Sequence, residues 1–316
     1  MSRPVVAVTG ATGFLGRRLV PALIQEGWDV RALVRAEPSQ DMWGAHRPTL
    51  ITGDLGDPSA LQLLTVDAQV VIHAAGLIKA SRRSDFFRVN ADGIRRVLEV
   101  APPNARVILI SSLAAREPQL SDYAASKRAA EAAVSEMAAG RHTIVRPPAI
   151  YGPGDCETLT LFRLAAKSRV LPVLGGPKAR LAVAHVDDVV AAIVHIATFD
   201  AGPVLLTVTG DRPEGYAWRE ILAAAAAAAG GGRATLMPVP SGVVKALGAV
   251  SEFLGLATGR PAIFTRGKAR EILHPDWSVS EAERFAAGPP ARFTLTAGFA
   301  QTVRWYRAKG WLTTPV

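Results

Sequence analysis

The sequence predicts an α/β fold, a doubly wound parallel sheet followed by a smaller carboxy-terminal lobe. Short apolar runs alternate with helical patterns over residues 1–150. The runs are near-continuously apolar, as strands covered by helices on both faces must be. A glycine triplet, Gly10, Gly13 and Gly16, marks the first strand-to-helix turn.

Residues 4–9 (PVVAVT) are the first β-branched run, and Phe14, Leu15, Leu19, Ala22 and Leu23 recur at helical spacing over 14–26. WDVRALV reads as the second strand, TLITG as the third, AQVVIHAA as the fourth, ARVILIS as the fifth and HTIVRP as the sixth, with helices at 85–100 and 120–139. Beyond about residue 150 the pattern turns to Pro/Gly-rich loops, YGPGDCETL and LPVLGGPKAR, with helical stretches and few strands. The expected division is a first domain over 1–150 with a returning segment at about 182–210, and a lobe built from 151–181 and 211–316.

Within the lobe, residues 216–229 (YAWREILAAAAAAA) are helical by propensity and the following GGG is a stop. Residues 242–257 set Val243, Leu247, Val250, Leu254 and Ala257 on one stripe, with Lys245 and Glu252 on other faces. Charge breaks this stretch too often for it to span a bilayer. The expectation is a helix packed on its own domain. The alternative is a lid or a lipid-facing surface, toward which the succeeding Arg260, Arg266, Lys268 and Arg270 lean.

A chain of 316 residues, 49% hydrophobic and 20% charged, can bury a full core. Its net charge of +9 suits anionic partners, nucleotide phosphates or acidic lipid among them. The charge is spread out, with no basic block interleaved with aromatics, which points away from nucleic acid. Cys156 is the sole cysteine, so there is no internal disulfide, and the composition is compatible with a reducing cytoplasm. No leader-like pattern precedes the first strand, so the expected location is cytoplasmic, and peripheral contact at the inner membrane face is the open alternative. The six histidines are scattered, and His185 near Asp187 and Asp188 lacks zinc-ligand spacing, so no metal site is expected and HVDDV reads as a turn into a helix.

Glycine between strand and helix lets the backbone turn tightly, lets a pyrophosphate approach the helix amino terminus and lets helix and sheet sit close. Gly10, Thr12, Gly13, Phe14, Leu15 and Gly16 are therefore a candidate dinucleotide loop. Arg35 closes the second strand, where an adenosine ribose would lie. An arginine there suits a 2′-phosphate, as an acidic residue would suit a 2′-hydroxyl, so NADP(H) is favoured over NAD(H). A solvated surface arginine is the plain alternative, and the same holds for Arg17. Asp54, with Leu55 in GDL, either accepts from the adenine amino group or punctuates a turn. Ala74, Ala75 and Gly76 in IHAAG leave room for the nicotinamide-side ribose, and His73 reads as structural rather than catalytic.

Tyr123 and Lys127 stand at i and i+4 on one helix and project in one direction. A phenol titrates near ~10 in water, and a neighbouring ammonium stabilises the phenolate. The lysine can also hold the cofactor ribose. Ser112, in ISS, is placed to hydrogen-bond the oxygen that Tyr123 protonates, with Ser111 in reserve. Asn90, in VNADG, would join a water relay or bond backbone near the site.

The segments TGATGFLG, GDL, VIHAAG, VNADG, ISS, YAASK, VRPPAIYGPGD, HVDDV and the ending GFAQTVRWYRAKGWL follow one another over nearly the whole chain. In that order they resemble the short-chain dehydrogenase/reductase superfamily, in its extended branch of epimerases, dehydratases and reductases. The resemblance implies a Rossmann-like fold whose lobe binds substrate, cofactor on the Gly10, Gly13 and Gly16 loop, and catalysis by Ser112, Tyr123 and Lys127. It also implies that Pro147 and Pro148 lead toward the nicotinamide, and that helices near 85–100 and 120–139 are the usual homodimer faces, a monomer staying open.

Two departures point away from the nucleotide sugars of that branch. LAAREPQLSD fills the interval from Ser112 to Tyr123, where those enzymes carry a longer stretch with VYG, and Leu181 and Ala182 follow Arg180 where acidic and aromatic residues are common. VRALVR resembles the second strand of dihydroflavonol-type and steroid-type reductases. The expected activity is NADPH-dependent reduction of a ketone on a small hydrophobic substrate, in its sharpest form a 3-keto-sphingolipid-like lipid. The alternatives are a nucleotide-sugar epimerase or dehydratase, which reoxidises its cofactor within one turnover, and a non-catalytic NADPH-binding subunit or sensor.

Overall fold

The computed structural model describes residues 3–199, 204–230, 234–258, 262 and 264–313, apart from the side chain of Leu256. The chain runs from β1 (Val5–Thr9) through the glycine loop into α1 (Gly16–Gln25), then β2 (Asp29–Val34), β3 (Thr49–Thr52), α2 (Pro58–Thr65) and β4 (Val70–His73). It continues with α3 (Arg83–Asn90), α4 (Asp92–Val100), β5 (Arg106–Ile110), a 3-10 turn at Leu113–Arg116, α5 (Asp122–Met137) and β6 (His142–Arg146). These six strands pair in parallel in the order β6-β5-β4-β1-β2-β3, with Val204–Thr207 beyond β6 as a seventh.

Strand order reverses between β1 and β4, because the chain winds outward to β2 and β3 on one side and to β5 and β6 on the other. The connections leaving β1 and β4 therefore run toward opposite edges of the sheet, and the carboxyl ends at such a reversal are where these sheets bind ligands. Burial follows the layering. Ala7, Val71, Val107, Leu109 and Ile144 of the sheet meet Leu61 and Leu64 of α2, Ile94 and Val97 of α4, and Ala130 and Val134 of α5.

Two local features differ from the pattern reading. Helix α2 has a legible start in DPSALQLL: Asp57 Oδ1 accepts from the amides of Ser59 (3.0 Å) and Ala60 (3.1 Å), and Pro58 occupies the first turn. The single helix expected over 85–100 is two, parted at Ala91 (φ −100°, ψ −52°). The break leaves Asn90 at the end of α3 and lets Gly93 lie against Leu55, where a Cβ would come within 2.7 Å of the leucine Cδ1.

The remaining elements are β7 (Ala149–Tyr151), α6 (Leu159–Lys167), β8 (Val170–Val173), β9 (Arg180–Leu181), β10 (Val183–His185), α7 (Val186–Thr198), β11 (the seventh sheet strand), α8 (Trp218–Ala229), β12 (Thr235–Pro238), α9 (Ser241–Thr258), α10 (Arg266–Leu273), β13 (Asp276–Trp277) and α11 (Leu295–Ala308). Contacts divide the described chain into a unit running to Arg146 and including Val190–Leu206, and a unit made of Pro147–Val189, Thr207–Thr258 and Ala262–Val316. The second unit holds more strands than its sequence pattern shows, because they are short and pair only in twos: β7 with β10, β8 with β12, β9 with β13. Its core centres on Phe162, Phe299 and Tyr306, ring edge to ring face at 5.0 and 5.7 Å. The buried alanines 225, 226 and 229 of α8 join this core, and Gly230 ends the helix in the left-handed conformation at φ +74°.

Helix α9 overturns the expectation that its stripe packs on its own domain. Val243, Leu247, Val250 and Leu254 are 47–57% exposed, and Ala257 is exposed as well. The buried face carries Val244 and Gly248, and a Cβ at Gly248 would stand 2.9 Å from the Thr265 carbonyl oxygen at the start of α10. Close approach of the α10 backbone selects the small side of the helix and leaves the large side outward. Of the basic residues noted after this helix, Arg260 lies outside the described residues.

Candidate active site

The loop after β1 is shaped by what its glycines lack. Gly10 has φ +75°, and a Cβ there would lie 2.5 Å from the backbone of Ala74 and Ala75, so the two loops touch main chain to main chain. A Cβ at Gly16 would overlap the Gly10 carbonyl oxygen; at Gly13 the same oxygen is 3.2 Å away and the constraint is milder. The Gly13 amide is taken by Gly10 O at 3.0 Å, whereas the amides of Phe14 and Leu15 make no backbone hydrogen bond among the described residues. Free amides at the start of α1 and a cradle that any Cβ would fill fit the pyrophosphate of a dinucleotide. The Thr12 carbonyl accepts from Arg17 Nε at 2.8 Å, so that arginine braces the loop.

At the ends of β2 and β3, exposed Arg35 lines a shallow pocket of about 300 Å³ with Gly53, Asp54, Gly56 and Asp57. Asp54 closes a turn there: its Oδ1 accepts from the Gly56 amide at 2.6 Å. Leu55 is half-buried and packs inward on the core. Asp57 is spent capping α2.

Beyond β4 the chain is held by side chains from two elements, β1 and α3. Thr9 Oγ1 bridges His73 Nδ1 (2.9 Å) and the Ala75 amide (3.3 Å). Burial, with the charge of Lys127 second, drives His73 down to about 3, so it is a neutral structural side chain. Asn90 accepts from the Leu77 amide at 2.6 Å, and its Nδ2 donates to Leu77 O at 3.0 Å and to Ser126 Oγ at 2.8 Å. Of the two roles considered for Asn90, backbone bonding is the one its geometry displays. These bonds press Gly76 toward the lysine: a Cβ at Gly76 would lie 3.3 Å from Asn90 Oδ1 and 3.7 Å from Lys127 Nζ.

Helix α5 starts on a Ser121 cap whose Oγ accepts from the Ala124 amide at 3.0 Å, and this sets Tyr123 in the first turn, half-buried, edge-on to Phe86 at 6.3 Å. Lys127 is buried, with Nζ donating to Ile110 O at 2.7 Å. Burial lowers its pKa to about 8 against the opposing pull of Glu131. Ser112 Oγ caps the 3-10 turn, accepting from Ala114 N at 3.2 Å, and its own proton stays available for donation.

Ser111 faces elsewhere. Its hydroxyl donates to Glu131 Oε1 at 2.6 Å, in a buried network with Arg146, whose Nε and Nη2 reach Glu131 at 2.7 and 2.6 Å. Its proton is therefore committed to a carboxylate, and it is no reserve for Ser112. Sequence reasoning passed over Glu131 and Arg146. The signals were present: Glu131 follows Lys127 by one further helical turn in YAASKRAAE, and Arg146 directly follows the apolar pair Ile144 and Val145. Pro147 and Pro148 are buried directly after β6. In the second unit, His185 stacks on Phe293 at 3.9 Å, and Asp188 accepts from the amides of Arg292 and Phe293 at 3.0 and 3.2 Å, a structural use of HVDDV.

The sequence profile of the NAD dependent epimerase/dehydratase family matches residues 6–205. The chain belongs to this family. Among relatives of this epimerase/dehydratase-family protein, a ceramide reductase from Caulobacter vibrioides (strain NA1000 / CB15N) is 51% identical over 315 residues, 98% of this chain and 97% of the relative. A 4-hydroxy-2-methyl-3-oxo-4-farnesyl-3,4-dihydroquinoline-1-oxide ketoreductase from Stigmatella aurantiaca is 29% identical over 65% of this chain and 68% of its own. The structure of DesIV, a dTDP-glucose 4,6-dehydratase from Streptomyces venezuelae solved with NAD bound, shares the fold at a TM-score of 0.71 over 98% of each chain, with 21% identity. As a member of the epimerase/dehydratase family, the protein is an NAD(P)-dependent oxidoreductase.

Proposed function

We propose that the protein reduces a ketone on a long-chain, sphingolipid-like amide, using NADPH and a Ser112, Tyr123 and Lys127 site. The observation that carries this reading is the 51% identity to a ceramide reductase along nearly the full length of both chains. Placement of the tyrosine and lysine on α5, next to the loops after β4 and β5, supports it. Exposed Arg35 beside the pocket at the end of β2 supports the phosphorylated cofactor, since a guanidinium pairs with a phosphate.

Bound NADPH would supply the hydride to the carbonyl carbon. Tyr123 gives its phenolic proton to the carbonyl oxygen, completing the alcohol and leaving a phenolate that solvent reprotonates. Lys127, still largely protonated at neutral pH, stabilises that phenolate; one N–H is spent on Ile110 O and two remain for the phenolate side and a ribose hydroxyl. Ser112 donates to the same carbonyl oxygen and fixes its direction. Asn90 keeps the 74–77 loop against Lys127, so the ammonium is pre-positioned.

The test follows NADPH absorbance with a detergent-dispersed long-chain 3-keto amide, with Tyr123→Phe as control. Turnover that falls by three orders of magnitude or so in the variant while NADPH still binds supports the reading. NADPH binding without ketone turnover in the wild type sinks it and returns the choice to a nucleotide-sugar substrate or a non-catalytic cofactor-binding subunit.

A further inference from the structure

Helix α9 is built inside out for a helix of a water-soluble surface. Val243, Leu247, Val250, Phe253 and Leu254 are 47–68% exposed, with Ala246 and Ala257 exposed between them. At 100° per residue these seven positions fall within one outward arc. The inward face is made small, with Gly248 against Thr265 and Ala269 of α10. Large apolar side chains gathered in water on one face are the reverse of what burial favours. A contiguous patch of this kind marks a contact surface.

The charges beside it decide the partner. From Ser241 to His274 the sequence holds five cationic residues, Lys245, Arg260, Arg266, Lys268 and Arg270, against two acids. Both acids are turned inward: Glu252 accepts from the Arg266 amide at 2.8 Å at the start of α10, and Glu271 is buried, bonded to Lys268 at 3.2 Å. Lys245, Arg266, Lys268 and Arg270 are exposed. The α9–α10 hairpin therefore offers apolar area with cations and no outward acid. A second copy of the chain would bring like charges together, whereas an anionic bilayer surface satisfies both features. No helix among the described residues is long and apolar enough to cross a membrane, so the helix would lie in the interface plane.

We infer that α9 is a membrane-surface anchor that seats its Val243, Leu247, Val250, Phe253 and Leu254 face among the acyl chains of an anionic phospholipid leaflet, with the α10 cations on the headgroups. The anchor requires neither ketone nor cofactor, so its test stands apart from the reductase assay.

The experiment is flotation of the full-length protein with vesicles of phosphatidylglycerol and phosphatidylcholine, and with phosphatidylcholine alone, at low and high salt. The wild type should float with the anionic vesicles and be released as salt rises. Val250→Glu/Phe253→Glu, whose side chains touch solvent in the fold, should bind at least about tenfold more weakly. Arg266→Gln should lose roughly fivefold at low salt. Both variants should keep the wild-type melting temperature and NADPH titration, which separates lost docking from lost folding. Wild-type protein that stays in solution with anionic vesicles overturns the inference, and so does equal flotation of the glutamate variant. A dimer in analytical ultracentrifugation that the glutamate variant dissociates, without vesicle binding, overturns it in favour of a second copy.

Discussion

Arg146, at the end of β6, grips Glu131 of α5 through both Nε and Nη2, one helical turn beyond Lys127. The carboxylate also accepts a hydrogen bond from the Ser111 hydroxyl, so the ends of β5 and β6 and the helix that carries the lysine are tied at one buried point. A bidentate charged pair of this sort sets direction as well as distance. It fixes the axial rotation of α5, on which the aim of Tyr123 and Lys127 depends.

Glu131→Gln should cost about 3–5 kcal/mol in urea unfolding, because Arg146 is left buried with half its partner. Glu131→Met/Arg146→Met should cost less than the sum of the single changes. Equal additivity in that cycle would show that the pair is not coupled.

Lys127 is a buried lysine whose folded pKa, about 8, lies below the 10.5 of the free side chain. Between these values the unfolded chain holds a proton that the folded chain has released, so stability rises with pH across that window. The cofactor-free protein should gain roughly 2 kcal/mol from pH 8 to 9.5, and Lys127→Met should flatten the slope while abolishing turnover. Urea midpoints at the two pH values read it directly.

His73 has the same sign at lower pH. With a folded pKa near 3 against 6.5 unfolded, only the unfolded chain takes up a proton as pH falls below 6.5, and stability is lost on the way down. From pH 6.5 to 5 the loss should approach about 1.4 kcal/mol per pH unit at its steepest, and His73→Asn should remove that component. Identical slopes in wild type and variant would refute it.

Gly10→Ala should weaken NADPH binding by more than about tenfold and destabilise the fold by roughly 1–3 kcal/mol, since the methyl meets the Ala74 and Ala75 backbone at a positive φ. Gly140→Ala is the control: its φ is +79°, but nothing lies within 4 Å of the added Cβ. It should carry the conformational cost alone and leave the cofactor titration unchanged.

Arg35→Asp should shift the ratio of NADPH to NADH turnover toward NADH by about tenfold or more, as a carboxylate repels the 2′-phosphate and accepts from a 2′-hydroxyl. Steady-state rates with both cofactors measure this. An unchanged ratio would leave Arg35 as a solvated surface residue.

Much of the first unit was legible because its signals are local. The six strands from Val5 to Arg146 lie within a residue or two of their apolar runs, and the Gly10 turn stands where the strand stops and the helix starts. Helix α2 was passed over although Asp57 and Pro58 announce it, since eight residues with few polar positions show little periodicity. The division at Ala91 had only a weak local sign, the poor helix formers Asn90, Asp92 and Gly93. It answers to Asn90 reaching Leu77 and to Gly93 meeting Leu55, contacts across the fold.

The sequence by itself determined the alternation of strand and helix, the glycine turn after the first strand and the four-residue step from Tyr123 to Lys127, because each rests on backbone geometry over a few consecutive residues. Only the tertiary structure decided which serine hydroxyl is committed to a carboxylate, what Asn90 holds and which way α9 faces. Ser111 turns to Glu131 twenty positions away and Asn90 to Ser126 thirty-six positions away. The approach of α10 buries Gly248 and so turns the apolar stripe outward. An amphipathic pattern states that a helix has two unlike faces. Which face is buried depends on the shape of what packs against it, and that shape is assembled from distant parts of the chain.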